Sequence, residues 1–101
     1  MNPHDKHPLA LVVEVLSPND QWGAVTRRIY HFLSRGIAVV WLVDPKGQTV
    51  TVYRPNQIPQ VFESEDELTG DPELAEFRCR ISEFFYLPGE DEPPQEDNPE
   101  A

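Results

Sequence analysis

The chain has little that could staple or anchor it. One cysteine, Cys79, allows no intrachain disulfide, and no run of about 20 apolar residues is present to span a bilayer. With no secretory signal pattern either, a soluble cytoplasmic protein is the expectation, and no membrane partner is expected. Glycine is scarce, five in 101 residues, and none falls in the pattern of a phosphate-cradling loop. There is no Cys/His spacing of a zinc site and no internal repeat. Basic residues are few: eight Lys and Arg stand against eighteen Asp and Glu, a formal net charge of −10. Affinity for nucleic-acid phosphates comes from clustered Lys and Arg, so this balance excludes a nonspecific coat protein, though not an enzyme that touches DNA. The two short basic groups, Arg27 with Arg28 and Arg78 with Arg80, read as ordinary surface as readily as phosphate contacts.

What is present divides into three parts. Residues 1–8, MNPHDKHP, are polar and read as a disordered terminus; His4, Asp5 and His7 lack the rigid scaffold that metal ligation needs. Residues 88–101, PGEDEPPQEDNPEA, hold six of the acidic residues, four prolines and no basic residue, and cannot bury enough surface to offset their ordering entropy. They read as a disordered acidic tail. Between them, residues 9–87 form one small domain, mildly acidic and small enough that a partner subunit would add to its stability.

Within that domain, Leu9–Leu16 (LALVVEVL) is a near-continuous β-rich apolar run, of the kind buried on both faces in a parallel sheet. Ser17 and Asp20 are candidate N-caps for a helix over 21–35, where Val25, Ile29, Phe32 and Leu33 recur at helical spacing until Gly36. Residues 37–43 (IAVVWLV) make a second apolar strand, ended by the turn Asp44-Pro45-Lys46-Gly47, and 48–54 (QTVTVYR) alternates as a half-exposed strand should. Strand, helix and strand form a βαβ unit with parallel strands, and the hairpin adds an antiparallel edge. Residues 60–62 suggest a short strand. Residues 68–86 read as irregular chain plus a short closing helix over 81–85, with Phe77, Phe84, Phe85 and Tyr86 as apolar cover.

Glu14 stands out because it interrupts the first apolar run and shares a face with Ala10, Val12 and Leu16. A buried carboxylate needs a cation, a metal or a proton. Counting ~100° per residue from Val25, Phe32 falls near ~340°, Ile29 near ~40° and Arg28 near ~300°, so Arg28 flanks the apolar stripe of the helix. From there it can reach back to the carboxyl end of the first strand, where ligands of open α/β sheets bind. Two readings stay open: an ion pair that closes the strand–helix junction, or a carboxylate that binds a divalent cation beside a phosphate-steadying guanidinium. Mg²⁺ takes oxygen ligands, usually one or two carboxylates with water and substrate phosphate. One glutamate does not complete that set.

The stretches LVVEVLSPND, TRRIYHFLSRG and IAVVWLVDPKGQTVTVYRP, in this order and at this spacing, resemble the second half of the Uma-two family, restriction-endonuclease-like nucleases of the PD-(D/E)XK superfold. The resemblance runs over residues 8–86, with LAEFRCRISEFF similar to the family's closing segment. It implies an α/β (mixed α+β) restriction-endonuclease-like core, present in part: the strand–helix–strand unit, an antiparallel hairpin and a short C-terminal helix. It also implies DNA as partner and Mg²⁺ or Mn²⁺ as cofactor in hydrolysis of phosphodiesters, with Glu14 as metal ligand and catalytic carboxylate. Arg28 falls where the family carries a lysine displaced onto the helix.

The chain departs from that pattern in ways that bear on chemistry. The family often has Asp where Ala10 stands, and its earlier Pro-Asp strand and preceding helix are missing here. Arginine can hold a phosphate, but with a pKa above about 12 it cannot serve as a general base. The expectation is a truncated endonuclease-like domain, catalytically impaired by itself. The alternative is a noncatalytic interaction module, whose bare sheet edge pairs with another copy, as a homodimer, or with a separately encoded N-terminal half.

Overall fold

The computed structural model describes residues 11–85. The expectations for His4, Asp5 and His7, for Leu9 and Ala10, for Tyr86 and for the acidic segment 88–101 lie outside the described residues. The elements in chain order are β1 (Leu11–Val15), α1 (Trp22–Ser34), β2 (Val39–Asp44), β3 (Thr49–Tyr53), β4 (Gln60–Glu63), β5 (Glu67–Thr69), β6 (Arg78–Arg80) and α2 (Ile81–Phe84). The first four strands form one mixed sheet in the order β1-β2-β3-β4. β1 runs parallel to β2, with Glu14 beside Leu42, and the remaining pairs are antiparallel.

Helix α1 forms where apolar residues recur at helical spacing, and Val25, Ile29 and Leu33 are its buried stripe. Neither expected N-cap holds that position. Gln21 is the N-cap and makes no side-chain cap bond, while the Asp20 carboxylate turns back to accept the Ser17 N–H at 2.8 Å. Asp20 therefore closes the turn before the helix rather than the helix itself. The C-terminus follows the sequence: Gly36 sits at φ 103°, its N–H donates to the Leu33 carbonyl, and the Ile37 N–H donates to the Phe32 carbonyl. These two bonds are the Schellman closure that a left-handed residue permits.

The sheet divides the core into two layers. On one face, α1 packs Val25, Ile29 and Leu33 against Val40, Leu42 and Tyr53, with Val12 and Leu16 at the margin. On the other face Val39, Trp41, Val43, Val50 and Val52 meet Leu68 and Ile81, with Phe77, Phe84 and Phe85 packed over them, as the apolar-cover reading expected.

Two expectations are corrected here. β1 is not buried on both faces: among the described residues it is an edge strand, and on the face away from α1 its Val13 is 48% and its Val15 58% exposed. The second layer covers β2 and β3 and reaches Leu11 at the start of β1, but not Val13 or Val15. Residues 68–80 are also not irregular throughout, since β5 and β6 pair as a small antiparallel hairpin that buries Leu68. That hairpin is tied to the main sheet by Arg54, at the end of β3, whose NH1 and NH2 donate to the two carboxylate oxygens of Glu73 at 2.7 and 2.9 Å. A third bond runs from NH2 to the Asp71 carbonyl.

Candidate functional site

Two chain segments meet beyond the carboxyl ends of the parallel strands, the usual place for ligands in an open α/β sheet. After β1 the chain turns through Leu16–Asp20 into α1, and after β2 it turns through Asp44–Gly47 into β3. Between them lies a cleft of about 800 Å³, mostly apolar, lined by Leu16, Pro18, Trp22, Asp44, Pro45 and Lys46 among others. Trp22, the first residue of α1, is 56% exposed there. Neither acidic group in the lining is loose: Asp44 Oδ1 accepts the backbone N–H groups of Lys46 and Gly47, each at 3.1 Å.

The two residues singled out from sequence meet on the α1 side of β1, two residues before Leu16 of the cleft lining. Arg28 donates from Nε at 3.2 Å and from NH2 at 3.0 Å, both to Oε1 of Glu14. Glu14 is carried on the α1 face of β1 by strand alternation, and Arg28 lies one turn below Phe32 on the flank of the buried stripe. The Glu14 side chain is 19% exposed and that of Arg28 44%. The pair is thus a lid-like contact at the sheet margin, wetter at its cationic end than the apolar setting of Glu14 suggested. Of the guanidinium's five N–H donors, those on NH1 meet no acceptor among the described residues.

Asp20 joins this group electrostatically. Its carboxyl is held below the ordinary 3.8, first by the backbone N–H of Ser17 and in smaller part by the positive charge of Arg28. The Arg28 guanidinium therefore lies within electrostatic reach of two carboxylates, Glu14 and Asp20, the second of which lines the cleft. Sequence reading left Asp20, Trp22, Asp44 and Lys46 out of the candidate site. The signal was present in the two turn motifs, Ser-Pro-Asn-Asp and Asp-Pro-Lys-Gly: loops that end adjacent parallel strands must lie side by side.

The residues present do not by themselves fit a Mg²⁺ or Mn²⁺ site. Among the described residues no three His, Cys, Asp or Glu side chains converge. The one candidate carboxylate, Glu14, is already engaged by a guanidinium, whose positive charge opposes a second cation at the same oxygen. No helix of the described residues is long and apolar enough to cross a membrane.

The comparisons with known proteins agree with this fold. A family model described as "Uma2: Putative restriction endonuclease" matches residues 2–82. A solved structure described as "a putative nuclease belonging to DUF820 from Anabaena variabilis ATCC 29413" superimposes with a TM-score of 0.68 at 39% sequence identity, over 76% of this chain. The match spans 45% of that structure's own chain. Among curated proteins none matches.

Proposed function

Since the chain belongs to the Uma2 family of restriction-endonuclease-like proteins, we propose that it is a nuclease-like domain which engages DNA at the cleft beside the Glu14–Arg28 pair. The observation that carries this reading is the contact of Arg28 with Glu14 Oε1, two residues before Leu16 of the cleft lining. Glu14 orients the guanidinium, and the donors left on Arg28, with Lys46 across the cleft, hold a phosphodiester of the strand.

Hydrolysis is a further step. In this family it is expected to draw on Mg²⁺ or Mn²⁺, with Glu14 as one ligand, and that ligand set needs carboxylates beyond those that converge here. The chain alone is accordingly a binder of DNA with impaired cleavage. Incubation of supercoiled plasmid with Mn²⁺ and either the wild-type chain or Glu14→Ala is the test of cleavage, and anisotropy of a labelled duplex with Arg28→Ala is the test of binding. Arg28→Ala is expected to weaken binding roughly five- to tenfold at low salt. Equal binding by both proteins would remove Arg28 from the site.

A second reading is favoured by a separate observation. The outer edge of β1 has no partner strand among the described residues, and its neighbouring valines are exposed, so the chain is also built as an association module through that edge.

A further inference from the structure

On the reading that the chain associates through β1, we propose that its partner is a second copy of itself, paired antiparallel about Val13. The Leu16 N–H donates to the Val43 carbonyl at 2.8 Å, in the register that sets Val15 beside Val43. Backbone groups alternate along a strand, so the even-numbered residues of β1 turn their N–H and C=O toward β2. Leu11, Val13 and Val15 turn theirs outward. When Val13 faces the partner's Val13, Leu11 faces the partner's Val15, and every outward N–H and C=O of these residues finds its complement in a hydrogen-bonded antiparallel pair. A shift by two residues in either direction leaves an end pair unmade.

The side chains agree with the same register. Those of Leu11, Val13 and Val15 all lie on the face away from α1, where Leu11 is partly buried and Val13 and Val15 are about half exposed, and the pairing sets valine on valine and leucine on valine. On the α1 face, Glu14 lies opposite the partner's Val12, so no like charges stand directly across from each other. The Glu14 side chains of the two copies lie diagonally, about 7–8 Å apart, each neutralised by its own Arg28. The partner copy thereby brings a second Glu14 carboxylate alongside the first.

The opposite edge of the sheet does not compete. β4 has four residues, follows Pro59 and exposes Gln60 and Glu63, devices that discourage edge pairing. β1 has no proline, lysine or glycine, and its single charge is paired.

The test is the solution mass of the full chain by light scattering or sedimentation, with circular dichroism to verify folding. The wild type is expected to dimerise. Val13→Lys and Val13→Glu each raise the dissociation constant at least about tenfold, because like charges then face each other across the two-fold axis. An equal mixture of the two variants restores the dimer, and Val61→Lys on β4 changes nothing. Amide exchange needs no variant: the Val13 and Val15 N–H groups slow as concentration rises. If each variant is monomeric and the mixture stays so, the register about Val13 is overturned while association through β1 stands. A wild type that is monomeric yet binds a synthetic strand peptide spanning Leu11–Val15 overturns the second copy but not the edge. Binding to neither, or wild-type mass in Val13→Lys, overturns both.

Discussion

Arg28 reaches back from the middle of α1 to place Nε and NH2 on the same oxygen of Glu14, Oε1, rather than one on each oxygen. By contrast, Arg54 spans both oxygens of Glu73. Among the described residues the first geometry leaves the NH1 donors without an acceptor, and the second uses the fork to lock a loop.

Glu14→Ala should therefore cost little stability, about 0.5–1 kcal/mol in urea unfolding, because Arg28 is 44% exposed and water takes over its solvation. A loss above about 3 kcal/mol would mean that the guanidinium is left buried and uncompensated.

Glu73→Ala should cost more, about 1–3 kcal/mol, since it strips both forked bonds from Arg54, whose side chain is only 25% exposed. Equal effects of Glu14→Ala and Glu73→Ala in parallel urea titrations would contradict the contrast between the two pairs.

The same pair sets a pH dependence. The hydrogen bonds from Arg54 hold the Glu73 carboxyl below its ordinary 4.5. A folded-state pKa below the unfolded one gives stability that is complete above about pH 5 and fades as pH falls through 4.5 toward the lowered value. Glu73→Gln should flatten the acid limb of melting temperature against pH. An unchanged limb would place the proton uptake on other carboxylates.

Gly70→Ala should destabilise by about 1–3 kcal/mol, a drop of several degrees in melting temperature for a domain of this size. A Cβ there would press on the Leu74 carbonyl oxygen and meet Leu74 Cβ at 2.7 Å and Phe77 Cβ at 3.1 Å. Gly23→Ala, where nothing lies within 4 Å, is the control and should not destabilise.

Cys79 should react slowly with an aromatic disulfide reagent in the native state. Burial raises its thiol above 9.0, and the negative charges of Glu83 and Glu67 add to the shift, so little thiolate is present near neutral pH. Denaturant should speed the reaction severalfold; equal rates would place the thiol in open solvent.

The main sheet, α1 and the Glu14–Arg28 contact were legible because each rests on a strong periodic signal: two apolar runs, one stripe at helical spacing and a residue at a fixed angle from it. β5 and β6 were not, because strands of three residues such as Arg78-Cys79-Arg80 are too short for their alternation to be diagnostic, and they are set by the packing of Leu68 and Phe77. The exposure of Val13 and Val15 was hidden for a different reason. The run LVVEV is apolar on both faces, but what covers a face is decided by how far another layer extends, and sequence pattern does not report that. The cleft escaped notice because its residues come from two loops that only the parallel topology makes neighbours.

In the main sheet the spatial order of the strands is also their order along the chain. Among the described strands β1 is therefore made first, and its neighbour in the sheet, β2, is not complete until Asp44 has emerged. At roughly 5–20 residues per second, β1 waits a few seconds with both edges and its apolar faces open. The exposed interval ends on one side when β2 arrives. On the other side it ends only when a further strand does.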